Sequence, residues 1–270
     1  MHTPGATVGN SDPFLTYLKS FGYSVVRLPR TDIRPMQLFI KHDTRLSRLG
    51  ELTAVLEPGP DVPPPALKEN LPAANITGQQ TRDLSLGVGL TLLGSIIGAM
   101  GGTTIGLDAG YKQARSASFE FTNVLEDRVD LVEVDQYLSG ADVSPFSSHV
   151  AQLLEADAVY VTTSVIKSTT FIVEAKGQDG LSLDLKVPLI QDIVGGSIAV
   201  SPARGAQGKI VYEGKIPLVF GFQAARLYYQ DGRYSAFKPL AAGAAALERT
   251  VAAPQPEFLT TDSPFARLDA

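Results

Sequence analysis

An uncharged, glycine-rich segment from Leu84 to Leu107 constrains the fold of this chain more than any other feature. Its 24 residues include seven glycines and lie between Asp83 and Asp108. The first half alternates apolar residues with small or polar ones, as a strand with one apolar face does, and the apolar positions are Leu84, Leu86, Val88, Leu90 and Leu92. From Leu93 to Met100 the spacing becomes that of one or two helical turns. We therefore predict a strand followed by a short helix.

A transmembrane helix is the alternative for this segment, because about 20 apolar residues span a bilayer. Gly94, Gly98 and Gly102 also have the spacing of closely packed membrane helices. However, each glycine weakens a helix by roughly 1 kcal/mol relative to alanine, and the alternation before Leu93 is that of a strand. We therefore favour a segment that is buried in the core of the resting protein.

Length and charge limit the functional classes. A chain of 270 residues can bury a full core, and we expect one domain plus a tail. The net charge of −5 argues against general nucleic-acid binding. Residues 1–48 are nevertheless basic, with seven Lys or Arg against three Asp. They form either a solvated face or a surface attracted to anionic lipid, at about 1 kcal/mol per basic residue. The candidate lipid contacts are Lys19, Arg27, Arg30 and Arg34.

The signatures of common enzymes are missing from the sequence. Gly87-Val88-Gly89 lacks the third glycine of a dinucleotide site, because that position is Leu92. The chain has no cysteine, and its three histidines lack metal-ligand spacing. We therefore predict a protein that is not an enzyme and holds no cofactor or metal. Because the N-terminus lacks the pattern of a secretory signal, we expect a cytoplasmic protein.

Strands predominate in the rest of the chain, with a few helices between them. Pro13 and Gly22 bound an amphipathic helix, and Ser144 caps a second helix that runs to about Ala156. The proline-rich stretch from Glu57 to Pro72 predicts a surface loop. The shorter predicted strands are 23–28, 119–121, 129–134, 197–200, 209–212, 217–222, 225–229 and 234–237.

A long hairpin is predicted from Ala158 to Leu189. Ala158 to Ala175 is rich in β-branched and aromatic residues, and Gly177 to Gly180 supplies the turn. The return strand alternates with polar residues, and its apolar positions are Leu181, Leu183, Leu185, Val187 and Leu189. A soluble sheet on a core has this pattern, and so does a barrel strand with lipid outside and water inside. The sequence leaves both uses open.

The composition of the end of the chain predicts a linker followed by an anchored tail. Residues 241–253 are alanine-rich, and residues 254–270 carry four apolar anchors, Phe258, Leu259, Phe265 and Leu268. Burying them is worth roughly 6 to 12 kcal/mol gross, which holds a short peptide only while it stays tethered. Candidate cleavage positions are Leu247, Glu248 and Arg249, although Leu247 and Arg249 could simply finish a helix.

The order of these features along the chain resembles that of the bacterial gasdermins, and the resemblance covers nearly the whole chain. The segments that carry the resemblance are 12–30, 83–108, Phe119-Glu-Phe121 with 124–129, the 158–187 hairpin, 215–222 and the tail. The resemblance implies an α+β fold, a twisted and mainly antiparallel central sheet with peripheral helices plus a short C-terminal inhibitory peptide. It divides the chain into a pore-forming domain (1–240), a cleavable linker (241–253) and an autoinhibitory tail (254–270).

The same resemblance implies a function and partners. A caspase-like or other protease, encoded nearby in an antiphage defence operon, would remove the tail from a cytoplasmic monomer. The freed body would then insert into the cell's inner membrane and assemble with other copies into large pores that kill the cell. From the net charge, we expect no nucleic-acid partner. The lipidated N-terminal cysteine of the family has no counterpart in Met1 to Asn10. Either the native residue was replaced or trimmed, or this protein functions without the acyl chain. Loss of an acyl chain removes roughly 0.8 kcal/mol per buried methylene, so we expect weaker membrane binding unless the basic N-terminus compensates.

Backbone hydrogen bonding links insertion to assembly in this hypothesis. In lipid both edges of a strand must be paired, so that only a closed ring of hairpins can span the membrane. We expect residues 83–121 and 158–200 to refold into two amphipathic hairpins per protomer. The runner-up is a soluble β-rich lipid- or ligand-binding module, whose apolar segment would line a pocket. A third alternative is an enzyme with an unfamiliar site.

Overall fold

The computed structural model describes residues 23–42, 45–73, 81, 83–235 and 267–269. Their helices are α1 (Leu52–Val55), α2 (Leu86–Ala99), α3 (Leu107–Gly110), α4 (Leu131–Ser139), α5 (Ser148–Glu155) and α6 (Val187–Val194). Their strands are β1 (Ser24–Arg30), β2 (Gln37–His42), β3 (Arg45–Glu51), β4 (Leu56–Pro58), β5 (Lys68–Pro72), β6 (Leu84–Ser85), β7 (Ser116–Thr122), β8 (Leu125–Arg128), β9 (Ala141–Val143), β10 (Val159–Lys176), β11 (Ile198–Pro202), β12 (Lys209–Arg226), β13 (Tyr229–Gln230), β14 (Arg233–Tyr234) and β15 (Arg267–Asp269).

Two strands of 18 residues, β10 and β12, form the centre of the sheet. Both are rich in Val, Ile, Thr and aromatic residues, which pack well on a pleated surface. They pair antiparallel along most of their length, from Tyr160 opposite Arg226 to Glu174 opposite Lys209. Eleven of the strands in the described ranges join this one sheet, which runs β1-β12-β10-β2-β3-β15 along its main path.

The remaining strands extend the two long ones on both sides. β10 pairs with β2 near its start, then with β8, and with β7 near its end. β5 adds to β8, and β6 adds to β7. β12 carries β1 and β11 on its other side. All these pairings are antiparallel, and only the pairing of β15 with β3 is parallel among the described strands. The predicted α+β fold with a mainly antiparallel central sheet is confirmed.

Two apolar cores lie at opposite ends of the long strands. At the β2 end, α1, α4 and α5 pack on the sheet around Leu38, Tyr137 and Leu154. At the other end, α2, α3 and α6 pack around Phe119, Phe171 and Tyr212. A nearly buried ion pair between Lys167 and Asp127 joins β10 to β8 between these cores. Asp127 also accepts a hydrogen bond from the backbone N–H of Asn70, at 2.7 Å, which fixes β5 to the same place.

The prediction that 84–92 is a strand is wrong beyond Ser85, because α2 begins at Leu86. Its buried stripe consists of Gly89, Leu92, Leu93, Ile96 and Ile97. Two hydroxyls that would weaken a helix are satisfied within it. Thr91 donates to the Gly87 carbonyl at 2.8 Å, and Ser95 donates to the Thr91 carbonyl at 2.9 Å.

The predicted return strand from Leu181 to Leu189 is also wrong. Ser182 forms only an isolated bridge with Lys176, and α6 begins at Val187. Pro188 lies in its first turn, where proline is favoured, and Gly195 ends the helix at a φ of 79°. Ile190 and Val194 lie four residues apart and are buried. The proline, the spacing and the glycine together were the signal for this helix.

Other predicted boundaries need correction too. Residues 129–134 are not a strand, since β8 ends at Arg128 and α4 begins at Leu131. The helix predicted from Ser144 begins at Ser148. The loop predicted from Glu57 to Pro72 contains most of β4 and all of β5. Segments 209–212 and 217–222 belong to one continuous strand. The helix predicted between Pro13 and Gly22 lies outside the described residues.

Candidate functional site

Four neighbouring antiparallel strands form the part of the sheet that bears on function. In spatial order they are β5 with β6, β8 with β7, β10, and β12. They make two hairpins. In each hairpin a long segment, instead of a tight turn, connects the two strands, and both segments lie at the same end of the sheet. They are residues 86–115 in the first hairpin and residues 177–208 in the second. We call these segments the first insert and the second insert.

The inserts cover an apolar face of the strands that they join. Cross-strand partners on that face are in register from β7 through β10 to β12, and its buried side chains are Ala117, Phe119, Phe121, Phe171, Val173, Ala175, Ile210 and Tyr212. Phe171 and Tyr212 stack with ring centroids 5.0 Å apart. α2 and α6 belong to the same core, and a Cβ added at Gly89 would lie 2.9 Å from the Ala117 Cβ. Removing the inserts would therefore expose an apolar surface.

The opposite face of the same strands is polar. The Lys209 Nζ lies 3.7 Å from a Glu120 carboxylate oxygen and 3.8 Å from one of Glu174. These residues stand on β12, β7 and β10, with Glu174 opposite Lys209 in the register. The strands are thus two-faced, apolar on one side and charged on the other.

The second insert continues this alternation in phase. Phe171, Val173 and Ala175 are the buried apolar residues at the end of β10. The next apolar residues in the sequence keep the same odd numbers, Leu181, Leu183, Leu185, Val187 and Leu189. Extended as a strand, this segment would lengthen the apolar face of β10 without a change of side. In the first insert Leu84 pairs with Ala117, so Leu86, Val88, Leu90 and Leu92 would likewise extend that face.

The two inserts are interlocked in the resting protein. The Thr103 N–H donates to the Val194 carbonyl at 3.1 Å. A Cβ added at Gly102 would lie 2.7 Å from the Ile198 Cδ1, and one at Gly110 would lie 2.7 Å from the Ile190 Cδ1. A backbone hydrogen bond and close packing at two glycines thus hold the first insert against the second.

A buried tyrosine pair ties the first insert to β12. The Tyr111 and Tyr212 hydroxyls lie 2.7 Å apart, and both side chains are fully buried. Burial is the main cause that raises the pKa of Tyr111 to about 12, and it raises the pKa of Tyr212 as well. Both phenols therefore stay neutral and bonded at physiological pH. Sequence reasoning missed this pair, because the two residues lie 101 positions apart and neither carries a local motif.

We expect Tyr111→Phe to lower the free energy of unfolding by about 1 to 3 kcal/mol, because it leaves the buried Tyr212 hydroxyl without its partner. Urea denaturation of the full chain measures this change. Tyr111→Phe combined with Tyr212→Phe is the control, since removal of both hydroxyls costs less than removal of one. A single variant as stable as the parent would show that the hydroxyl pair does not hold the first insert.

The C-terminal strand lies at the edge of β3. β15 pairs with β3 in parallel, with Leu268 opposite Leu46, and it also lies against β1. Leu46 is buried in a third apolar cluster together with Val26, Phe39 and Phe222. The backbone at Leu268, one of the predicted anchors, is thus part of the main sheet. The other anchors, Phe258, Leu259 and Phe265, and the candidate cleavage positions Leu247, Glu248 and Arg249 lie outside the described residues.

The candidate lipid contacts are not brought together as one described site. Arg34 is exposed and pairs with Glu51 at 3.0 Å. The backbone of Arg27 and Arg30 belongs to β1, which places them on the strand beside β12. Lys19 lies outside the described residues. No helix within the described ranges has the length and apolarity to cross a membrane.

Comparisons with known proteins agree on one family. A model of the Bacterial Gasdermin Family matches residues 26–233. The chain is 53% identical to a gasdermin from a Desulfuromonadales bacterium, over 95% of this chain and 97% of that one. It is 41% identical to a gasdermin from Lysobacter enzymogenes, over 97% and 95%. The structure of a bacterial gasdermin from Bradyrhizobium tropiciagri matches 96% of both chains with a TM-score of 0.57 and 14% identity, a similarity of fold.

Proposed function

Because this chain belongs to the bacterial gasdermins, a family of pore-forming effectors rather than enzymes, we propose that it is an autoinhibited pore-former activated by proteolysis in antiphage defence. The resting form is a cytoplasmic monomer. A partner protease cuts within 241–253, the tail leaves, and the body inserts into the inner membrane as a ring of many copies. The observation that supports this most is that each insert covers an apolar face which it can itself extend.

Insertion requires the two inserts to become strands. β6 and β7 already pair up to Ser85 opposite Ser116, and β10 and β12 pair up to Glu174 opposite Lys209. The flanking strands therefore need no new register. We accordingly revise the refolding segments from 83–121 and 158–200 to residues 86–115 and 177–208. Each insert supplies about 15 residues per strand, more than the ~9 to 11 that a membrane strand needs. The apolar face uncovered by this change would contact lipid, and the Lys209 face would line water.

The wrong strand predictions support the same change. Residues 84–92 and 181–189 have the alternation of strands, yet both fall largely in helices or irregular structure in the resting protein. α2 contains four glycines, which weaken a helix by roughly 1 kcal/mol each relative to alanine. The local sequence of these segments favours a strand, whereas their tertiary contacts in the resting protein favour the helical or irregular conformation. We infer that the resting contacts hold them until the tail departs.

Helix loss and strand gain on a membrane test this function. The full chain, with a recognition sequence for a specific protease placed within 241–253, is cut in the presence of anionic liposomes. We expect rings in electron micrographs, together with a fall of helical and a rise of strand signal in infrared spectra. The uncut chain should show neither change. Rings without loss of helix would contradict the refolding of the inserts, and a cut protein that stays monomeric and carries a lipid would favour the lipid-binding alternative.

A further inference from the structure

We propose that Arg115, together with Gln113, binds the phosphate of a membrane-lipid headgroup. This inference rests on the proposed function and identifies a residue that holds the inserts at the membrane surface. Both residues lie at the end of the first insert. They line a surface cavity of about 570 Å³ together with Lys112, Ala114 and Gln178, so that both inserts contribute to it.

The cavity is cationic. Lys112 and Arg115 are exposed, and neither side chain forms an ion pair with any residue that the structure describes. Asp83, which precedes β6, pairs instead with Lys176 at 3.0 Å. An arginine guanidinium binds two phosphate oxygens at once, and the side-chain amide of Gln113 is a further hydrogen-bond donor. The cavity therefore suits a phosphate group.

The backbone holds Arg115 at the boundary between the body and the inserts. Its carbonyl accepts a hydrogen bond from the Leu86 N–H at 3.0 Å, and its N–H donates to the Lys176 carbonyl at 2.7 Å. Tyr111 and Ala114, on the same segment, are buried in the core. Because the strand ends around Arg115 keep their register in the proposed pore, its place is the same before and after insertion.

The register puts Arg115 on the outer face of the proposed pore. It lies two positions from Ala117, which is buried on the apolar face, so an extended strand points both side chains to the same side. Gln113 follows on that face, at the level of Asp179 and Arg204 on the extended β10 and β12. Asp179 lies directly opposite Arg204, and the two charges cancel. The charge of Arg115 is thus left for a lipid phosphate.

Beyond these polar positions the outer face is uncharged over the thickness of a bilayer. The register brings the tips of both hairpins to one level, at 100–101 and at 191–192, with Asp192 at the second tip. A strand needs ~9 to 11 residues to span hydrocarbon. No charged residue falls on the outer face of the four nine-residue stretches between, which are 90–98, 103–111, 181–189 and 194–202. Arg115 therefore lies at the level of the headgroups.

Charge removal at Arg115 tests the proposal in the full chain with the cleavable linker. After cutting, Arg115→Gln should bind vesicles of phosphatidylglycerol and phosphatidylcholine about fivefold more weakly than the parent in sedimentation, because it loses one basic residue at an anionic surface. Arg115→Lys, which keeps a cation that binds phosphate, should lose less than about twofold. Arg233→Gln is the matched control, since this exposed arginine lies on β14, at the α4 end of the long strands.

Vesicles of digalactosyldiacylglycerol, which contain no phosphate, identify the ligand. On them the parent and Arg115→Gln should bind equally, and a defect that persists there would contradict the assignment to phosphate. In calorimetry, millimolar inorganic phosphate should give no heat of binding with the uncut chain. Binding that Arg115→Gln abolishes would point to a soluble anion instead of a lipid and would overturn the proposal.

The controls separate this proposal from the function it rests on. Because the Arg115 side chain is exposed, urea denaturation should show the uncut variants to be as stable as the parent. If Arg115→Gln binds phospholipid vesicles and releases their dye as well as Arg233→Gln does, the proposal fails and the pore function stands. Inactivity of every cut protein, including the parent, would overturn the function itself.

Discussion

The fragment Met1 to Arg249 should release dye from anionic liposomes at least about tenfold faster than the full chain. A tenfold change corresponds to a free-energy difference of about 1.4 kcal/mol. The physical reason lies in β15. Within the part of the chain that the structure describes, β15 pairs along three residues of β3 and lies against β1. About three hydrogen bonds at about 0.5 to 1.5 kcal/mol net each give about 1.5 to 4.5 kcal/mol, so this ladder alone corresponds to a dissociation constant of about a millimolar or weaker. A tether supplies an effective concentration of that order, and cutting removes it.

A proline in β15 tests whether that strand carries the inhibition. Leu268→Pro removes a backbone N–H and disturbs the pairing with Leu46, so the uncut variant should release dye at a rate between those of the full chain and the fragment. Ala252→Pro, within the linker, introduces the same residue without touching the strand and should leave the full chain inactive. Equal inactivity of the fragment and the full chain would discredit the tail as an inhibitor.

Sequence reasoning succeeded where local pattern and tertiary structure agree. β7 and β10 were predicted as strands, and the sheet does bury β-branched and aromatic residues of both, such as Phe119, Phe171 and Val173. It failed in α2 and α6, where other residues form the buried helical stripe: of the alternating residues only Leu92 belongs to the stripe of α2, and α6 buries Ile190 and Val194 instead. In α2 that stripe depends on Gly89 fitting against Ala117, a contact between residues 28 positions apart. A local pattern cannot contain that information, because the choice between strand and helix is made by a distant strand.

The candidate site was predictable in part for the same reason. The apolar positions of both hairpins can be predicted from the two-residue alternation of apolar and polar residues in the sequence. The interlock of the inserts, the Tyr111–Tyr212 pair and the covering of β12 by β11 arise from residues brought together by the fold. In the proposed mechanism, these contacts restrain the strands from refolding. The sequence therefore predicts what can insert, and the structure supplies what restrains it.

Leu181→Arg with Leu189→Arg should slow pore formation strongly without weakening the resting fold. The two side chains are 68% and 45% exposed, so their replacement should change the free energy of unfolding by no more than about 0.5 kcal/mol. In the pore both positions continue the apolar face of Phe171 and Val173. An arginine facing the bilayer midplane costs about 2 to 4 kcal/mol, and less near the interfaces. The two positions are eight residues apart, and a strand spans the membrane in ~9 to 11, so at least one charge meets hydrocarbon.

Asp184→Arg is the matched control, since it changes the net charge by the same amount on the opposite face of the same segment. Asp184 is exposed and shares its face with Glu174 and Lys176, which would line water in the pore. After cutting, the control should release dye at the parental rate, whereas the double variant should be slower by at least about 30-fold, the equivalent of 2 kcal/mol. Urea denaturation of the uncut proteins verifies that all three are equally stable. A double variant as active as the control would mean that this face does not contact lipid. An arginine that faced hydrocarbon would necessarily slow insertion, because burying its charge there is unfavourable.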